Sequence, residues 1–177
     1  MKWDKNAIKW DACGRMFVTE SPEGREHTVH NLIGEYAHKM DAKGRTSLPA
    51  NFRKDIPADA QLVIAPSPTE DYLFVYLKED YIAWIDSMFD GIGGYDVNDV
   101  DHVLLRSEMM GEGRDAEIDA AGRIMVAAEQ RAIAGLEKDV VLVGNGNRIE
   151  IWDAQRREAA RAKARSKKSL LLRRAAE

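Results

Sequence analysis

A single cysteine, Cys13, is all that 177 residues contain. No internal disulfide can form, so the fold must rest on packing, and the chain suits a reducing compartment. Long apolar runs are missing as well. The longest near the end is Leu170-Leu171-Leu172, against the roughly 20 residues that a membrane helix needs. The opening residues carry no secretory pattern, because Lys2, Asp4, Lys5, Lys9 and Asp11 interrupt any apolar stretch. The four histidines His27, His30, His38 and His102 are scattered, and His27-x-x-His30 stands without cysteine or carboxylate at zinc spacing. There is no Gly-rich phosphate loop, no Gly-x-Ser-x-Gly elbow and no nucleophile paired with a base. Asp99 and Asp101 read as solvated helix acids. Together these omissions predict a cytoplasmic protein that is not an enzyme, with no cofactor, metal, small-molecule substrate or membrane partner.

What is present is ordinary in bulk and uneven in detail. Hydrophobic residues make up 45% and charged residues 32%, the balance of a soluble globular chain, and the net charge is −4. That average hides a strong sign asymmetry. Residues 79–119 carry twelve acids against Arg106 and Arg114, a net of −10. Residues 34–54 have a net of +3 and residues 153–177 a net of +6. A local anion-binding face is therefore compatible with an acidic whole.

The chain is also duplicated. Asp41-Ala42-Lys43-Gly44-Arg45 returns 78 positions later as Asp119-Ala120-Ala121-Gly122-Arg123. Leu62-Val63-Ile64-Ala65 returns at the same offset as Val140-Val141-Leu142-Val143. Leu73-Phe74-Val75-Tyr76 then answers Ile149-Glu150-Ile151-Trp152 at an offset of 76. Two copies make a pseudo-symmetric globule and not a solenoid.

Each copy reads alike. A polar strand (Glu35 to Met40; Arg114 to Ile118) enters the Asp-x-x-Gly-Arg turn, and a short strand leaves it (Arg45 to Leu48; Arg123 to Val126). A short helix follows, opened by Pro49 in the first copy and by Ala127 in the second. The apolar runs at 62–65 and 140–143 predict strands buried on both faces. Between the copies, Tyr81, Trp84, Ile85 and Met88 mark an amphipathic helix, stopped by Gly91, Gly93 and Gly94. A second helix is expected with Asn98 as its cap and Val100, Val103 and Leu104 as its apolar stripe. Residues 154–176 favour helix but lack an apolar stripe, so that segment is expected to project or fray. No element is read in 1–31.

In the turn, Gly44 and Gly122 supply a left-handed backbone position, while Asp41 and Asp119 accept hydrogen bonds from the turn's own amides. The arginine after each glycine then stands near the tip. It either braces the hairpin against a carboxylate or reaches outward as a basic tip able to enter a groove or hold phosphate. Duplication on a rigid scaffold favours the second reading. Arg45, helped by Lys43 and Lys39, is the expected principal DNA contact. Arg123, beside Ala121 in place of a lysine, is expected to be a weaker contact or a brace.

The segments Leu32-Ile33-Gly34-Glu35-Tyr36, Met40 to Arg45 and Leu48 to Arg53 resemble the opening of an MraZ protein. Asp119 to Arg123, Gly135 to Gly144 and Arg148 to Asp153 match the second half of that family in order and spacing. The resemblance spans about Leu32 to Arg157, leaving residues 1–33 and the basic tail beyond it. It implies an α+β fold of two pseudo-symmetric SpoVT/AbrB-like swapped-hairpin domains interleaved in one core, with connecting helices and a C-terminal helix. Taken with the charge and pattern above, this sets domains at 32–78 and 112–153, a helical acidic connector at 79–111, a basic tail at 154–177, and a loosely packed or disordered extension at 1–31. The resemblance also implies a nucleoid-associated, sequence-specific regulator of double-stranded DNA. Such a regulator assembles as a ring of identical subunits and usually represses the division and cell-wall gene cluster that encodes it. A head-to-tail ring would favour closely spaced direct repeats. The alternative is an antitoxin-like or scaffold module of the same fold.

Overall fold

The computed structural model describes residues 8–10, 16–18, 27–28, 31–57 and 59–175. Three short strands, β1 (Ile8–Trp10), β2 (Met16–Val18) and β3 (His27–Thr28), form a small antiparallel sheet of their own. Strands of two or three residues are too short to announce themselves by periodicity. The rest of the N-terminal extension, with His30, lies outside the described residues, as does the expected character of that extension.

The first repeat contributes β4 (Leu32–Lys39), β5 (Arg45–Ser47), the helix α1 (Ala50–Asp55), β6 (Leu62–Pro66) and β7 (Leu73–Leu77). The connector holds α2 (Lys78–Asp90) and α3 (Val100–Glu112). The second repeat supplies β8 (Arg114–Ala116), β9 (Arg123–Met125), α4 (Ala128–Ile133), β10 (Asp139–Gly146) and β11 (Arg148–Asp153), and α5 (Ala154–Ala175) follows. The class is α+β, as expected.

Six strands form one antiparallel sheet in the order β4-β10-β11-β7-β6-β8. The first strand of each repeat therefore lies against the third strand of the other. Val140 faces His38, and Leu62 faces Ala116; these are one pair shifted by 78 in both members. At the centre, Ile149 faces Val75 and Ile151 faces Leu73, related by the offset of 76. Outside this sheet β5 and β9 form a two-stranded ribbon, with Arg45 opposite Met125 and Ser47 opposite Arg123. A pseudo-twofold axis thus passes between β7 and β11 and between β5 and β9.

The alternation of side chains gives the sheet two dry faces. Leu62, Ile64, Leu73, Val75, Val140, Leu142, Ile149 and Ile151 point to one of them, which Leu48, Phe52, Ile124 and Val126 close from the ribbon side. Val63, Ala65, Phe74, Tyr76, Val141 and Trp152 point to the other, covered by Tyr81, Ile85 and Phe89 of α2 and Met109 of α3. The runs at 62–65 and 140–142 are buried on both faces, as their continuous apolar pattern predicts.

Two expectations need correction. The cap of α3 is Asp99, whose carboxylate accepts the main-chain N–H groups of Asp101 and His102; Asn98 is held back by Asp96. The stripe Val100, Val103 and Leu104 is not buried: Val100 is 69% exposed and Leu104 62%. The face that α3 turns to α2 is instead His102, Arg106 and Met109: His102 packs on Phe89, Arg106 pairs with Asp86 at 3.1 Å, and Met109 is buried. The start of α5 is tied to the body. Arg157 donates from Nε (3.1 Å) and Nη2 (2.8 Å) to Glu35 of β4, Arg161 reaches the same carboxylate at 3.0 Å, and Arg156 pairs with Asp71.

Candidate nucleic-acid interface

Each Asp-x-x-Gly-Arg segment folds into the same closed turn. The main-chain N–H of Asp41 donates to the carbonyl of Arg45 at 2.9 Å, and that of Gly44 donates back to Asp41 at 2.9 Å. Gly44 has φ +83° and Gly122 φ +73°, backbone that a side chain would strain. Asp41 Oδ1 accepts the main-chain N–H groups of Lys43 and Arg45, both at 2.9 Å. Asp119 does the same for Ala121 and Arg123, again at 2.9 Å. The carbonyl of Gly44 then receives the Val126 N–H, and that of Gly122 the Leu48 N–H, each at 2.9 Å. The turns are therefore welded to the two ends of the ribbon.

Both turn arginines are held by their own aspartate. Arg45 donates from Nε (2.7 Å) and Nη2 (2.7 Å) to Asp41 Oδ2; Arg123 donates from the same atoms to Asp119 Oδ2, at 2.8 Å each. In both pairs the arginine side chain is 35% exposed, so it lies on the surface and not within the core. The Asp41 carboxyl is held below its usual range, foremost by the Arg45 main-chain N–H; Asp119 is held down foremost by the Arg123 side chain. Asp119 in turn raises the Arg123 guanidinium, and the Asp41 charge adds a smaller push, which places both turns in one electrostatic neighbourhood.

The ribbon turns Arg45, Ser47, Arg123 and Met125 outward, with Thr46 and Ile124 buried beneath. Lys43 stands exposed at the first tip, where the second has Ala121, and Lys39 stands exposed at the end of β4 leading into it. The expected contacts Arg45, Lys43 and Lys39 thus gather at one turn, and Arg123 lies across the ribbon. The ranking of Arg45 above Arg123 has no counterpart in their own geometry, which is the same; the tips differ at Lys43 and Ala121.

Two further arginines were not singled out by sequence reasoning. Arg131 of α4 lies over Gly44 of the first repeat: a methyl group added to Gly44 would meet its Nε at 2.9 Å and its Cζ at 3.2 Å. Arg53 of α1 lies over Gly122 of the second repeat, its Cζ 2.8 Å from the same imagined methyl. Their signal was in the repeat itself, since 53 and 131 are again 78 apart.

Among the described residues no group of His, Cys, Asp and Glu is arranged to hold a metal ion, and no helix is long and apolar enough to cross a membrane. The sequence model of the family described as "MraZ protein, putative antitoxin-like" matches residues 32–88 and 109–173. The chain belongs to the MraZ family. "Transcriptional regulator MraZ" of Leptothrix cholodnii is 34% identical over 134 residues, covering 73% of this chain and 84% of its own. The proteins of the same name from Heliobacterium modesticaldum and Lachnoclostridium phytofermentans are 33% and 32% identical. They cover 71% and 72% of this chain, and 82% and 85% of their own. These relatives are named as regulators and not as enzymes. The family match runs to residue 173, so the basic segment past Arg157 lies inside the family's span and not beyond it.

Proposed function

We propose that this MraZ-family protein is a DNA-binding transcriptional regulator whose ribbon, with its two arginine-bearing turns, meets double-stranded DNA. The observation that carries the proposal is the outward face of β5 and β9, where Arg45 and Arg123 are fixed at the surface beside Lys43 and Lys39. The curated relatives, all named transcriptional regulators, support it. A guanidinium bound by Nε and Nη2 still offers its Nη1 edge. Because Asp41 fixes its orientation in advance, little side-chain freedom is lost on contact. Arg45, Lys43 and Lys39 are the principal contacts, and Arg123 is the secondary one.

The cross-repeat pairing of β4 with β10 and of β8 with β6 supports a swapped-hairpin arrangement of two AbrB-like units. The assembly is a ring of identical chains at the nucleoid, in the cytoplasm, and it represses a division and cell-wall gene cluster. Opposite charge on the acidic connector and the basic α5 supports head-to-tail contact, as do the exposed Val97, Val100 and Leu104. Adjacent subunits would then engage closely spaced direct repeats and gain through effective concentration.

The test is a band shift on the upstream region of the protein's own gene with Arg45→Ala. The expected result is a loss well beyond threefold. Binding within about threefold of wild type, less than ~1 kcal/mol, would reject the assignment of Arg45. An antitoxin-like or scaffold module would leave every duplex unshifted at any salt.

A further inference from the structure

The four arginines around the ribbon divide into two kinds. Arg45 and Arg123 each spend Nε and Nη2 on their own aspartate. The guanidinium groups of Arg53 and Arg131 make no hydrogen bond or ion pair with any described residue, and Arg131 Nε is buried without an acceptor. Each is nevertheless positioned, because its guanidinium lies against the turn glycine of the opposite repeat. Arg53 belongs to an exposed position in the last turn of α1; Arg131 is half-buried in the last turn of α4.

This division has an electrostatic consequence. An incoming phosphate at Arg45 or Arg123 meets a cation whose charge is already balanced, together with a carboxylate that repels it. At Arg53 or Arg131 it meets an unbalanced cation with free donors in a planar fork. The pseudo-twofold places one such cation at each end of the ribbon, so a strand backbone laid along the ribbon has an anchor at both ends.

We infer that Arg53 and Arg131 are the phosphate-gripping residues of this protein, while the aspartate-bound Arg45 and Arg123 orient on the duplex. The inference rests on the DNA reading above and adds residues that it does not contain. It separates affinity from discrimination. Phosphate contacts weaken with salt and ignore sequence; contacts to base edges read sequence and add little to the salt slope.

The experiment measures binding of the full-length protein to two duplexes, its own upstream region and a random sequence, from about 50 to about 300 mM salt. The Arg53→Gln, Arg131→Gln double variant should lower the slope of log K against log salt by about 2. Its loss of affinity should be equal on both duplexes. The Arg53→Lys, Arg131→Lys variant, which keeps the charges, should restore the slope. An unchanged slope, or a loss confined to the upstream region, would overturn the inference. In the wild-type protein, an arginine-specific dicarbonyl reagent read by mass spectrometry gives a check that no substitution can confound. Arg53 and Arg131 should react when free and be protected by duplex; equal reaction in both states would overturn the inference. A wild-type protein that binds neither duplex would instead overturn the DNA reading itself, and this inference with it.

Discussion

Asp41 holds Arg45 from two directions: Oδ1 accepts its main-chain N–H at 2.9 Å, and Oδ2 accepts its Nε at 2.7 Å. One carboxylate therefore closes the turn and aims the guanidinium, and Asp119 repeats the arrangement with Arg123.

Acid should loosen both turns. Asp41 and Asp119 have folded-state pKa values below the ordinary carboxylate value. Their contribution is present above the unfolded pKa of about 3.9 and is lost as pH falls through the lower folded value. Thermal melts should show the wild type losing stability below about pH 4. The Asp41→Asn, Asp119→Asn variant, which keeps an acceptor for the turn amides, should have a shallower acid limb. Parallel limbs would count against a stabilising role for the two charges.

The two turn glycines should differ in tolerance. Alanine at a positive φ costs about 1–2 kcal/mol. At Gly44 the added methyl also presses on the Val126 carbonyl, whereas its nearest neighbour at Gly122 is the movable Arg53 side chain. Gly44→Ala should therefore lower the denaturation midpoint more than Gly122→Ala. The reverse order would show that the Arg53 seat is the stiffer one.

Tyr81 links α2 to α3 by donating its hydroxyl to the Met109 carbonyl. Burial pushes its phenol up to about 12. The stability tied to that shift is complete below about pH 10 and is lost as pH rises through the folded value. Tyr81→Phe should cost about 1 kcal/mol at neutral pH, measured by urea unfolding. It should also remove the latest step from the alkaline absorbance titration.

Glu35 takes both Arg157 and Arg161. Partly exposed pairs of this kind contribute roughly 0.2–1 kcal/mol each, so Glu35→Ala should move the melting temperature by only a few degrees. Its local effect should be larger: amide exchange in the first three turns of α5 should quicken while β6 and β10 stay protected. Unchanged exchange in α5 would mean that other contacts hold it.

Much of this fold was legible because the chain states it twice. The recurrence of Asp-x-x-Gly-Arg at 78 located both turns, and the apolar runs at 62–65 and 140–143 marked the doubly covered strands. Pairing across repeats was not legible from pattern, since β6 and β10 are equally apolar and either could accept either polar strand. The exposed stripe of α3 misled because amphipathic spacing says which residues share a face, not whether anything covers it. Arg53 and Arg131 escaped notice because one basic residue on a six-residue helix reads as a solvated charge; only the folded turn brings a glycine of the other repeat beneath it.

The exchange of strands between the repeats carries a consequence for the chain's ancestry and its handling. A liberated half, residues 32–90 for example, would leave its β4 without β10 and its β6 without β8. It would have to recruit a sister molecule to complete the layer. Joining both halves in one polypeptide makes that partnership independent of concentration, and it lets the two ends of the ribbon diverge, as Lys43 and Ala121 have done.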